Sequence, residues 1–198
     1  MSAATITPFE PELRWGPSAR GRLGMCCLIA AEVAIFTIFV IAYLFYLGKS
    51  ISGPTPQQVL HVPVLFTICL LSSSLTIHLA VRSLRKAKVG AFVRWWFLTL
   101  FLGAAFLAGT AVEWRHLIYD EGLTIQTNLF GTTYYSLVGL HAFHVLMGLL
   151  ALGTVWLFAM FGKVKREHAE RVDTLALYWH FVDTVWVVVF LVVYVIGR

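Results

Sequence analysis

Five long apolar stretches, separated by short polar connections, constrain this chain more than any other feature. They run over residues 23–47, 62–80, 92–111, 129–161 and 175–196. A helix rising 1.5 Å per residue needs roughly 20 apolar residues to cross a hydrocarbon layer about 30 Å thick. The expected fold is therefore an all-α integral membrane bundle of five transmembrane helices. Its spans fall approximately at 23–48, 61–84, 91–117, 127–161 and 171–196, preceded by a polar arm over residues 1–22. Composition agrees: 59% of the 198 residues are hydrophobic, 13% are charged and the mean hydropathy is +0.80, whereas soluble domains carry about 25% charged residues. Five spans consume almost the whole chain, so residues 23–198 form one membrane domain with no separate soluble domain.

The first span is longer than the 7–15-residue apolar core of a cleaved signal peptide and is not followed by a small-residue cleavage site. It reads as a retained helix. Cys26, Cys27 and Cys69 lie in or beside apolar spans without the spacing of a disulfide framework or a thiolate metal motif, and read as small packing residues.

Basic residues divide unequally between the two ends of the spans. Arg14, Arg20 and Arg22 precede the first span, Arg82, Arg85, Lys86, Lys88 and Arg94 surround the second connection, and Lys163, Lys165, Arg166 and Arg171 surround the fourth. The opposite ends carry only Lys49, Arg115 and Arg198. The positive-inside rule then predicts a cytoplasmic N-terminus and an outer C-terminus. The net charge of +5 is a topology signal rather than a nucleic-acid signal. Trp95, Trp96 and Trp114 stand near span ends, where indole rings favour the headgroup level, and read as bilayer anchors. Gly53, Pro54 and Pro56 predict a chain reversal over residues 50–58. No internal repeat or low-complexity tract is visible.

Function should reside in the polar groups that the bundle buries, because a charge at mid-membrane costs about 3 kcal/mol without a partner. The candidates are Glu32, His78, Glu113, His141, His144, His180 and Asp183. His141 and His144 are three residues apart, as are His180 and Asp183, so each pair shares one side of its helix. Helical rise places Glu32 and Asp183 at comparable depth, with the two histidines of the fourth span near mid-membrane. A common polar layer is feasible. Three chemistries compete for it: metal ligation by imidazole and carboxylate, a proton or ion relay, and hydrogen bonding that fixes helix packing. The metal reading is weakest, since no His-Glu-x-x-His occurs and histidine pairs at the long spacing that clamps two haems are missing. A histidine near a carboxylate suits both of the others.

The stretch Tyr178-Trp179-His180-Phe181-Val182-Asp183-Thr184-Val185-Trp186 resembles the last-helix signature of cytochrome c oxidase subunit III. Phe130-Gly131-Thr132-Thr133-Tyr134-Tyr135, leading to Gly139-Leu140-His141-Ala142-Phe143-His144-Val145, is similar to that family's aromatic run and its histidine-bearing segment. Ala31-Glu32-Val33 with Phe36 and Phe39 resembles its glutamate-bearing helix, and Glu113-Trp114 its outer glutamate and aromatic. The motifs occur in the family's order and cover about residues 20–197. Longer members carry two additional N-terminal helices that form a lipid-holding cleft, so the resemblance is to the short five-helix bacterial form.

This resemblance implies an accessory, non-redox subunit of a proton-translocating haem-copper terminal oxidase in aerobic respiration. Haem and copper are expected in the partner subunits I and II and no cofactor in this chain, with phospholipid as a further ligand. The subunit would stabilise the catalytic subunit and support proton uptake and oxygen access. It would reside in the bacterial cytoplasmic membrane, contacting lipids but no nucleic acid, with a supercomplex with a quinol-oxidising complex as a further partner. Catalytic, cofactor-binding and metal residues are expected to be none. Glu32, His141, His144, His180 and Asp183 would form a buried polar cluster of structural or proton-related role, and Glu113 an outer-side carboxylate. Cytochrome c is the expected electron donor of the complex, with quinol as the variant. The alternatives are an accessory subunit of a nitric oxide reductase and an independent ion-coupled transporter. The latter is disfavoured by the lack of mid-span helix breaks.

Overall fold

The computed structural model describes residues 17–50, 53–60 and 62–197. Residues 1–16 of the expected arm, including Arg14, lie outside the described residues, as do Ile51 and Ser52 of the expected reversal, His61 and Arg198. The described chain is helical and contains no strand. Helix α1 spans Pro17–Tyr46, α2 is one turn over Pro56–Val59, α3 spans Val64–Arg85, α4 Val89–Tyr119 and α5 Leu129–Met160. A 3-10 turn at Arg166–His168 leads into α6, Ala169–Phe190, which continues as a π-helical segment over Leu191–Ile196. Five of these helices, α1, α3, α4, α5 and α6 with its flanking turns, are long and apolar enough to cross a membrane.

Local chemistry accounts for the ends. Pro17 opens α1 within the stretch expected to be an arm, at the first helical position where proline loses no hydrogen bond. Pro56 does the same for α2, whose Thr55 and Gln58 form a capping box. The Asn128 side chain accepts from the Gly131 N–H at 2.8 Å to cap α5 and donates to the Pro54 carbonyl at 3.2 Å. Gly53 has φ +89°, and a Cβ there would lie 2.9 Å from Asn128 Nδ2, so both the backbone and the close approach require glycine. One side chain thus joins the α1–α2 connection to the start of α5. At the opposite end Arg85 and Asp173 meet at 2.8 Å, tying the end of α3 to the start of α6. These contacts place alternate connections at opposite ends of an up-and-down bundle.

Helix α3 packs along α4, α5 lies against α4 and α6, and α1 packs on α5 and α6. The core is aromatic: Trp96, Trp179, Trp186, Tyr134 and Phe106 are fully enclosed. Trp96 therefore is not a bilayer anchor. Its indole N–H donates to the Leu152 carbonyl at 2.9 Å and its ring packs on Phe92, because its position on α4 faces α5 rather than lipid. Trp95, the next residue, is turned outward, as successive helical residues are separated by about 100°. Trp114 is half-buried against Tyr135. Cys26 and Cys27 also differ from the packing role expected of them, since both face outward on α1; Cys69 is half-buried, and all three are free thiols.

Candidate functional site

Glu32, at mid-length on α1, meets His144 of α5. Glu32 Oε2 lies 3.0 Å from His144 Nε2, and the side chains are 19% and 9% exposed. His144 Nδ1 is 2.8 Å from the carbonyl oxygen of Leu140, one turn earlier on the same helix. A carbonyl oxygen only accepts, so Nδ1 carries a proton and donates. One further proton then sits between Nε2 and the carboxyl oxygen, on either atom. The pair is thus neutral overall in both arrangements, which suits its low-dielectric surroundings. Phe36 packs on the His144 ring with centroids 5.0 Å apart, and the Tyr178 hydroxyl approaches the His144 carbonyl at 3.4 Å.

The remaining candidates do not join this contact. His141 is fully enclosed, stacked on Trp186 at 5.0 Å and met edge-on by Phe106 at 5.8 Å. Among the described residues neither of its ring nitrogens has a hydrogen-bond partner. His180 Nδ1 is 2.7 Å from the Ser74 hydroxyl of α3, while His78 on α3 is exposed. Asp183 is buried, with the Ser74 side chain as its polar neighbour on α3. The fifth-span pair does face a single neighbour, α3. The fourth-span pair splits among three. Three residues along a helix turn its side chains by about 60°, enough to direct His144 to α1 and His141 to α4 and α6.

A further polar group lies at the end of the bundle where α4 finishes. Tyr194, in the π-helical segment, donates to Glu113 at 2.9 Å and reaches the Tyr134 hydroxyl at 3.4 Å. Glu113 also borders a cavity of about 340 Å³ lined by Val59, Phe66, Gly109 and His116. Sequence reasoning flagged Glu113 but not its tyrosine partners. It also passed over Ser73, which accepts from Trp179 Nε1 at 2.8 Å, and Ser74, which is hydrogen-bonded to His180. The signal was the Ser72-Ser73-Ser74 run inside an apolar span, where hydroxyls serve as interhelical hydrogen-bonding groups.

The arrangement holds helices together through isolated polar contacts. Among the described residues no three His, Cys, Asp or Glu side chains gather as a metal-binding group. His144 and His180 are engaged by Leu140, Glu32 and Ser74, and the His141 ring is bracketed by aromatic rings.

Comparison with known proteins is consistent across nearly the full length. The family model described as cytochrome c oxidase subunit III matches residues 18–198. "Cytochrome c oxidase subunit 3" of Synechocystis sp. is 36% identical over 197 residues, covering 98% of this chain and 83% of the relative. The protein of the same name from Corynebacterium diphtheriae is 40% identical over 139 residues, 69% of this chain and 67% of the relative. A "Probable quinol oxidase subunit 3" of Staphylococcus saprophyticus is 29% identical over 184 residues, 89% of each chain.

Proposed function

Because the chain belongs to the cytochrome c oxidase subunit III family, we propose that it is the accessory, non-catalytic subunit III of a haem-copper terminal oxidase, integral to a bacterial cytoplasmic membrane. The observation that carries this reading is the family match over residues 18–198, which embraces all five spanning helices. The relatives' names favour an oxidase over the nitric oxide reductase and transporter alternatives. Electrons enter the complex from cytochrome c or a quinol, and the redox centres reside in subunits I and II. This chain contributes protein surface, held in one shape by its polar contacts. The domain is the five-helix bundle of residues 23–198, preceded on the cytoplasmic side by residues 1–22, of which 17–22 belong to α1. Basic residues concentrate at the ends where α3 meets α4 and α5 meets α6, which supports a cytoplasmic N-terminus and an outer C-terminus.

Within that role Glu32, His144, His141, His180 and Asp183 act in packing. The Glu32–His144 pair fastens α1, a helix whose outward face carries Leu28, Ile35, Ile38 and Ile41 for lipid or a partner subunit to cover. Support of proton uptake and oxygen access at subunit I, and membership of a supercomplex with a quinol-oxidising complex, follow as roles of the assembled enzyme. The test is a mild-detergent purification through a tag on this chain, followed by a reduced-minus-oxidised spectrum and subunit identification. Co-purification of the two large oxidase subunits with haem a or o signals is expected. A chain that arrives alone and colourless from intact membranes would overturn the proposal.

A further inference from the structure

Beside the last turns of α4 the chain forms a cavity of about 340 Å³, within the range of roughly 300–1,000 Å³ typical of small-molecule sites. Its apolar wall includes Val59, Phe66, Val112 and Leu117, and its polar groups are Glu113 and His116. Glu113 stands six residues before Tyr119, the last residue of α4, which sets its carboxylate about 9 Å inside that end of the bundle. We propose that this cavity binds a single-chain lipophilic amine, with the ammonium on the Glu113 carboxylate and the hydrocarbon along the apolar wall.

The carboxylate has acceptor positions to offer and lacks a countercharge. Tyr194 donates to it at 2.9 Å, which fills one of about four lone-pair sites. Among the described residues Glu113 forms no ion pair, and no Lys or Arg lines the cavity. His116 Nε2 lies 3.9 Å from Asp120 Oδ2, which brings a second carboxylate to the rim. An unpaired carboxylate in the apolar layer is destabilising. A ligand ammonium supplies the countercharge, and its N–H groups fill acceptor positions that Tyr194 leaves open. A metal ion is disfavoured because hard cations take about six or more oxygen ligands, which this apolar wall does not supply. A water-soluble amine is disfavoured because Val112 is 67% exposed, and Val64 and Leu65 at the start of α3 also turn outward, so the cavity adjoins a lipid-facing surface. An aminophospholipid is disfavoured because its phosphate would meet no Lys or Arg among the lining residues. This site does not depend on the oxidase reading.

The experiment titrates the full chain, purified in a maltoside detergent with the partners it retains, with dodecylamine and counts bound ligand by native mass spectrometry. Wild type should take up dodecylamine saturably. It should bind dodecanol, which lacks the charge, and dodecyltrimethylammonium, which lacks the N–H donors, more weakly. Glu113→Gln should bind the amine at least about tenfold more weakly, through loss of a charge-assisted hydrogen bond. Because Glu113 also holds Tyr194, a second variant is needed that leaves this bond in place. Val112→Trp fills the cavity from its exposed side and should abolish binding, while Val112→Ala retains it and reports intact folding. Unchanged affinity in either Glu113→Gln or Val112→Trp would overturn the site. Equal affinity for either analogue would overturn the ammonium assignment. Displacement of the amine by equimolar phosphatidylethanolamine would overturn the single-chain assignment in favour of a lipid headgroup.

Discussion

Replacing Glu32 with Ala isolates what the polar contact between α1 and α5 contributes. Glu32 Oε2 and His144 Nε2 are 3.0 Å apart, and Nδ1 of the same ring is held by the Leu140 carbonyl at 2.8 Å. The ring cannot turn Nε2 toward another group without giving up that bond, so the Ala variant leaves Nε2 unpartnered. Two magnitudes bracket the loss. Hydrogen bonds to charged groups contribute about 1.5–3 kcal/mol in proteins generally, whereas interhelical polar contacts in membranes average about 0.6 kcal/mol and reach about 1.7. The membrane scale governs, because the unfolded chain in its amphiphile keeps other partners and Glu32 is not fully enclosed. The expected coupling is about 1 kcal/mol. Glu32→Gln should lose less than half of this, since an amide N–H can donate to Nε2 while Nδ1 keeps its proton.

The assay is reversible unfolding of the purified chain in mild detergent, applied to Glu32→Ala, His144→Ala, the double variant and Glu32→Gln. A double-mutant cycle separates the pair from each residue's other contacts. Effects of the two Ala substitutions that add to within about 0.3 kcal/mol would show that the pair does not fasten the helices, and the reasoning would fail. Oxygen consumption by the assembled Glu32→Ala complex should remain measurable. Its complete loss with haem content and assembly intact would contradict an accessory role.

Three further outcomes are expected. Gly148→Ala should lower the Tm of the complex, because the new Cβ would stand 2.8 Å from a Trp179 ring held by Ser73; overpacking of about 1–3 kcal/mol outweighs the 0.5–1 kcal/mol that alanine contributes to a helix, and a raised Tm would refute this. Trp96→Phe should cost about 1 kcal/mol through loss of the bond to Leu152, against less than about 0.5 kcal/mol for outward-facing Trp95→Phe; thermal unfolding with equal losses would return Trp96 to an anchoring role. Asp183→Asn should leave stability equal or higher, since the Asp183 carboxyl is buried and a near-isosteric amide carries no charge that burial could penalise; loss of oxygen consumption with assembly intact would instead assign Asp183 to proton transfer.

The five helices were legible because each is an apolar run of the length that lipid demands, and their order of motifs was legible because Glu32, His141, His144, His180 and Asp183 stand in recognisable surroundings. Which group meets which was not. Spacing of three placed His141 and His144 on one side of α5, but the remaining turn of about 60° decides between the Glu32 carboxylate and the Trp186 ring, and that decision depends on how α1, α4 and α6 are arranged around α5. Trp96 misled for a related reason: its position near a basic connection suggests a headgroup anchor, while its facing on α4 buries it. Tyr194 could not be linked to Glu113 from sequence, because a π-helical segment shifts residue facing away from the 3.6-residue period on which such arguments rest.

Five of the interhelical polar contacts bear on how this bundle acquires its architecture. Glu32–His144 joins α1 to α5, Ser74–His180, Ser73–Trp179 and Thr67–Trp186 join α3 to α6, and Glu113–Tyr194 joins α4 to the end of α6. Each of these five connects helices that are not consecutive in the chain, whereas Thr76–Thr99, Trp96–Leu152, Tyr134–Tyr194 and Tyr178–His144 join consecutive ones. Consecutive helices are already held close by short connections such as Lys86–Lys88, whereas apolar side chains in lipid have little preference between another helix and an acyl chain. Choice among non-consecutive partners therefore falls to packing shape and to these few hydrogen bonds. If neighbours are specified in this way, substituting Glu32, His144, His180 or Glu113 should perturb the arrangement of α1 and α6 before it perturbs the presence of any helix.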